Sequence, residues 1–131
     1  MDREIRRAKI FNYTVAIIFL LIFISIFALL GAWKWNRTFT VSRWMDNPNE
    51  RYKIVSDMLS ENEIIGMTEN EIIDLLGNET EPAPEEFKHP RGMFPNENNL
   101  TYELGVDYMD YEWLVITMEK GIAVDYVIGC N

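Results

Sequence analysis

Histidine and cysteine are nearly missing from this chain of 131 residues, which has one of each, His89 and Cys130. A closed zinc site needs four such ligands, so none is expected. His89 sits in Lys88-His89-Pro90-Arg91-Gly92, a proline-bounded loop, and reads as a solvated loop residue and not as the base of a nucleophilic site. Cys130 has no partner for a disulfide within the chain, so the fold must be held by its apolar core. No catalytic residue, metal ligand or cofactor-binding residue is assigned, and the chain is not expected to be an enzyme.

Basic residues are also scarce beyond the first third of the chain. Residues 34–131 carry 8 Lys and Arg against 19 Asp and Glu, a net charge of −11. Such a surface repels phosphate backbones and excludes nucleic acid as a partner. The acids do not form a calcium loop by pattern. Asp46-Asn47-x-Asn49-Glu50 and Asp107-x-x-Asp110-x-Glu112 lack the alternating ligands, turn glycine and distal glutamate of an EF-hand.

What the chain has instead is one long apolar run. Val15 to Ala32 is 18 residues without a charge, and as a helix it covers about 27 Å, close to the thickness of a bilayer's hydrocarbon core. Residues 1–14 carry Arg3, Arg6, Arg7 and Lys9 against Asp2 and Glu4. Basic residues beside a span stay on the cytoplasmic side. The expected layout is therefore a cytoplasmic basic segment over 1–14, a transmembrane helix over 15–35, a connector over 36–47 and an extracytoplasmic domain over 48–131, at the cell membrane. Trp33, Lys34 and Trp35 are expected at the membrane interface. A cleaved signal has a shorter apolar region and a small-x-small site, which Leu30-Gly31-Ala32 matches poorly, so an uncleaved anchor is expected.

Within the exported part, the most legible stretch is Ile64 to Gly77. Thr68 and Glu71 form a capping box, and Met67 with Ile72 is placed as a hydrophobic staple. Ile72, Leu75 and Leu76 share one face, and Gly77 stands where a left-handed C-terminal cap belongs. Upstream, Asn47-Pro48 predicts a helix start, with a helix over Asn49 to Ser60 whose stripe is Tyr52, Val55, Met58 and Leu59 and from which Arg51 is mostly excluded. Trp44 is expected to fold against that stripe.

Residues 78–99 hold four prolines and no sustained period, as a long excursion or binding loop would. After them, Leu100, Tyr102 and Leu104 alternate with polar residues. Glu112 to Glu119 is a near-continuous apolar run, as in a central strand with both faces at least partly covered. Lys120-Gly121 predicts a tight turn into a last strand from Ile122, and Gly105 to Tyr111 a turn between the first two strands. The fold class is α+β: a transmembrane helix, then two short helices packed on a three-stranded antiparallel sheet.

The stretch Ile65-Gly66-Met67-Thr68-x-x-Glu71-Ile72-x-x-Leu75-Leu76-Gly77, with Tyr102 and two strands joined at Lys120-Gly121, resembles the BamE/SmpA-like lipoproteins. It is similar also to the helix-helix-strand-strand-strand unit of β-lactamase-inhibitor proteins. The resemblance covers about residues 48–129 and implies that fold, an extracytoplasmic location and a non-enzymatic, protein-binding role. The chain differs from those lipoproteins in carrying an apolar span instead of a lipidated cysteine.

Aromatic residues supply the candidate contacts. One sheet face has no helix left to cover it, so aromatic residues there are expected to face solvent, while parity assigns Trp113 or its neighbours to the helix-facing core. Expected partner contacts are Phe87, Arg91 and Phe94 in the loop and Tyr108, Tyr111 and Trp113 at the sheet turn. The expected function is a single-pass, membrane-anchored interaction domain, an adaptor or accessory subunit that meets the bilayer through 15–35 and a protein partner outside. Two other readings remain open: a ligand or calcium sensor using the acidic loops, and an enzyme-inhibitor or immunity-type protein.

Overall fold

A computed structural model describes residues 1–81, 83 and 99–130. The chain divides into two units, Met1–Asn36 and Arg37–Asn131. The first is essentially one helix, α1 (Asp2–Arg37), none of whose residues is buried within the chain. It is long and apolar enough to cross a membrane. Its two aliphatic hydroxyls within or beside the apolar run are satisfied internally, Thr14 Oγ1 donating to the Ile10 carbonyl at 2.9 Å and Ser25 Oγ to that of Leu21 at 2.8 Å. A hydroxyl that bonds to the preceding turn can enter hydrocarbon at little cost.

The second unit is α+β. It comprises α2 (Val41–Asp46), a 3₁₀ helix (Pro48–Lys53), α3 (Val55–Glu61), α4 (Glu69–Leu76) and strands β1 (Leu100–Asp107), β2 (Asp110–Glu119) and β3 (Ile122–Cys130). The strands form one antiparallel sheet in the order β1-β2-β3. Trp44, Val55, Met58, Ile72 and Leu76 from the helices and Ile54 between two of them pack with Leu100, Tyr102, Leu104, Leu114, Ile116 and Met118 into one core.

α4 is as its sequence predicts. The Thr68 amide donates to the Glu71 carboxylate at 2.7 Å, and the Glu71 amide donates to Thr68 Oγ1 at 3.4 Å, which completes the capping box. Ile72 is fully buried and Met67 is packed partly against the core. Hydrogen bonds from the Thr68 amide, then from its hydroxyl, hold the Glu71 carboxyl below its ordinary value. That contribution to stability is present above the ordinary carboxylate range and is lost as pH falls through the lowered value. Thr68→Ala should cost about 1 kcal/mol in chemical denaturation at neutral pH, and the cost should shrink in acid.

Gly77 departs from the expected cap. Its φ of +79° is left-handed, but its ψ of −175° is extended, so the chain leaves the helix directly. The final carbonyls of α4 are met from outside the helix instead. Trp44 Nε1 donates to the Leu76 carbonyl at 3.0 Å and the Tyr102 hydroxyl to that of Gly77 at 2.8 Å.

The connector is not a plain linker. Thr40 caps α2 by accepting from the Arg43 amide at 3.2 Å, which turns Trp44 into the core. Phe39 is buried as well, and its amide donates to Asp57 Oδ2 at 2.6 Å. The single helix expected over Asn49 to Ser60 is two pieces, and Asn47 makes no side-chain cap. The 3₁₀ winding places residues three apart on one side, so Arg51 and Ile54 both turn inward. Arg51 lies 4.8 Å over the Trp44 ring, with Nε donating to the Trp44 carbonyl at 2.9 Å.

The turn between β1 and β2 is narrower than Gly105 to Tyr111. A bulge between Glu103 and Gly105, with Gly105 at φ +103°, lets β1 continue to Asp107, so that only Tyr108 and Met109 link the strands. Lys120-Gly121 makes the second two-residue turn, with φ positive at both positions as a type I′ turn requires.

Trp113 does not face the helices. Leu114 and Ile116, paired with Tyr102 and Leu100, do. β2 is apolar at both parities, so alternation alone could not distinguish its faces. Nor is the far face bare at the sheet's centre: Thr101, Trp113, Val115 and Thr117 are all buried there. The expectation of two covered faces for the central strand holds, and the expectation of an open second face fails for β2.

Candidate interaction surface

Among the described residues, two features of the sheet are exposed, the β1–β2 hairpin tip and the edge of β3. At the tip, Tyr108 is 98% exposed, Met109 90% and Tyr111 52%, and Val106, the cross-strand partner of Tyr111, is exposed with them. Asp107 and Asp110 pair at the base of the turn. Burial, then the charge of Asp107, raises the carboxyl of Glu112 one step further in. The tip therefore presents an aromatic and thioether surface ringed by carboxylates.

Tyr108 holds φ +60° and the φ of Met109 is negative, the φ pattern of a type II′ turn. That turn favours glycine at its first central position, because a Cβ there crowds the backbone. A bulky, almost fully exposed tyrosine thus stands where glycine would serve the fold better. Strain of this kind, about 1–2 kcal/mol for an L-residue in the left-handed region, tends to mark functional positions. Tyr108→Gly should leave the unfolding free energy unchanged or raise it by up to about 1 kcal/mol, whereas Tyr108→Ala, which keeps the Cβ, should not raise it; denaturation of both variants measures the difference.

Of the other expected contacts, Trp113 is buried, at 6% exposure, and offers a partner little surface. It points away from the helices but not into solvent. Phe87, Arg91, Phe94 and His89 lie outside the described residues. Trp33, Lys34 and Trp35 are in the last turns of α1, where both tryptophans are exposed. Sequence does not single out Met109 and Val106, because the Asp-Tyr-Met-Asp turn lacks the glycine or asparagine that marks a two-residue hairpin.

The sheet's two edges differ. Along β1 the chain closes its own edge: the Thr80 amide donates to the Thr101 carbonyl at 2.9 Å, Thr80 Oγ1 accepts from the Glu103 amide at 3.1 Å, and the Glu79 carboxylate accepts from the Thr101 amide at 3.1 Å. Beside β3, among the described residues, only the start is met. The Gly66 amide donates to the Ala123 carbonyl and the Ala123 amide to that of Met67, both at 2.8 Å. The Gly66-Met67-Thr68 approach to α4 is thus a short strap on β3.

An open cleft of about 410 Å³ is lined by Glu69, Ile73, Asn78, Glu79, Glu81 and Leu100. Its Glu79 is already engaged by Thr101. The acidic run after Asp46 is engaged in part too, Glu50 accepting from Lys53 Nζ at 2.8 Å. Among the described residues, no group of three or more His, Cys, Asp or Glu side chains is arranged to hold a metal ion. Comparison with known protein families, curated proteins and solved structures finds no match to the chain.

Proposed function

We propose that this chain is a single-pass membrane protein whose Arg37–Asn131 unit is a non-catalytic interaction domain outside the cell, contacting a protein partner through the β1–β2 hairpin tip. The observation that carries the contact site is Tyr108, almost fully exposed on a left-handed backbone with Met109 beside it. An exposed aromatic and methionine cluster is the composition of an interface centre, and its placement at a turn tip suits insertion into a partner's pocket. Support for the anchor comes from the length and apolarity of α1 and from its flanks, Arg3, Arg6, Arg7 and Lys9 before and Trp33 and Trp35 after. Charge asymmetry supports an inside amino terminus. The resemblance to BamE/SmpA-like proteins, carried by the Gly66 to Gly77 stretch, supports a binding role and extends to no particular machine.

The test is recovery of the partner from detergent-solubilised membranes with the tagged full-length chain. Tyr108→Ala combined with Tyr111→Ala should abolish recovery while the unfolding midpoint stays close to that of the parent. Unchanged recovery would remove the tip from the interface.

A further inference from the structure

We infer that the outer edge of β3, from Tyr126 to Cys130, receives an extended, basic segment of a partner protein as an added strand; this rests on the reading of the domain as an interaction module and names a second mode of contact within it. Among the described residues, nothing hydrogen-bonds to the outer side of β3 beyond the strap at Ala123. The contrast with β1, whose edge Glu79 and Thr80 close with three hydrogen bonds, makes the open run specific to one side of the sheet.

Soluble proteins usually protect a free edge with lysine, proline or a strong bulge. Ile122–Cys130 contains no Lys, Arg or Pro. Its bulge lies at Val124, near the strapped end, and leaves the following residues regular. Tyr126, Val127 and Ile128 are each more than a third exposed and are rich in strand-forming shape. One amide, that of Tyr126, is occupied by the adjacent Asp125 carboxylate at 2.8 Å, a local contact that an incoming carbonyl can replace.

Charge selects the occupant. Asp125 lies on the strand, and Glu63 and Glu69 flank the Gly66-Met67 strap against its start. The surrounding unit is strongly acidic, with −11 over residues 34–131. A second copy of this chain pairing edge to edge would bring two such bodies together, whereas a strand carrying Lys or Arg between its apolar residues complements the edge. Backbone hydrogen bonds would supply affinity, and alternate side chains would meet Tyr126 and Ile128 on one face and Val127 on the other.

The probe is a nine-residue synthetic peptide alternating valine with lysine and threonine, beside a counterpart with glutamate in place of lysine. Both are added to the full-length chain in phosphatidylcholine nanodiscs, and amide hydrogen exchange is followed. The basic peptide should slow exchange within 124–130 about tenfold, and the acidic peptide should not. Val127→Lys and, independently, Ile128→Lys should weaken that protection about tenfold while melting stays as in the parent. Absence of protection with the basic peptide, equal protection with the acidic one, or full protection in both variants would overturn the inference. So would β3 protection that grows with protein concentration and no peptide, which would make the occupant a second copy. Any of these leaves the Tyr108/Tyr111 result untouched, so failure here is distinguishable from failure of the interaction reading.

Discussion

Trp44→Ala should destabilise the Arg37–Asn131 unit by about 4–8 kcal/mol in urea or guanidinium titration. Trp44 is fully buried at the meeting point of four elements. Its ring contacts Phe39 and Tyr102 edge-on, at centroid distances of 6.1 and 6.2 Å, and lies under the Arg51 guanidinium. Its indole N–H also satisfies the Leu76 carbonyl at the end of α4. Truncation removes about 3–5 kcal/mol of packing and leaves that buried carbonyl without its donor, at a further cost of about 1–3 kcal/mol. Arg51 loses its platform in the same step, and burial already opposes its charge. A domain of this size has about 5–15 kcal/mol of stability, so the loss is a large fraction of the whole. Trp44→Phe separates the two contributions: it keeps a ring and loses the hydrogen bond, so it should cost about 1–3 kcal/mol.

Gly105→Ala should be nearly as damaging, at about 3–5 kcal/mol by the same titration. A Cβ at Gly105 would fall onto the Asn49 carbonyl oxygen and lie 2.6 Å from its carbon. Those are backbone atoms of the 3₁₀ helix and cannot swing aside as a side chain would. The position also holds φ +103°, outside the range of L-residues. The bulge here does two things: it carries β1 on to the hairpin tip and lets the 3₁₀ helix approach the strand. Gly66, also at positive φ, has no atom within 4 Å of an added Cβ, so Gly66→Ala should show backbone strain alone and serves as the comparison.

Local chemistry was readable where it was self-contained. The capping box of α4, the Lys120-Gly121 turn and the apolar length of α1 each follow from residues within one turn or one run. Features that depend on distant partners were not. Arg51 looked like a solvated helix residue because nothing nearby announces that Trp44 waits to receive it. Gly105 reads by sequence as the start of the turn between the first two strands, since a bulge and a turn both use glycine and only the contact with Asn49 distinguishes them. The face of β2 toward the helices could not be chosen from a run apolar at both parities; pairing with Tyr102 and Leu100 chose it. At the candidate site, Tyr108 and Tyr111 were found by being aromatic in a turn, while the neighbouring Met109 and Val106 emerge only from exposure.

Which side of the membrane the domain occupies can be read directly from the chain's own thiol. Cys130 is the single cysteine and is exposed at the end of β3, so a membrane-impermeant maleimide added to intact cells reports its side of the bilayer without any engineered residue. Labelling of the full-length protein before permeabilisation, at the level reached after it, is the result expected of an anchored domain facing outward. Labelling that appears only once the membrane is opened would place the domain in the cytosol and contradict it.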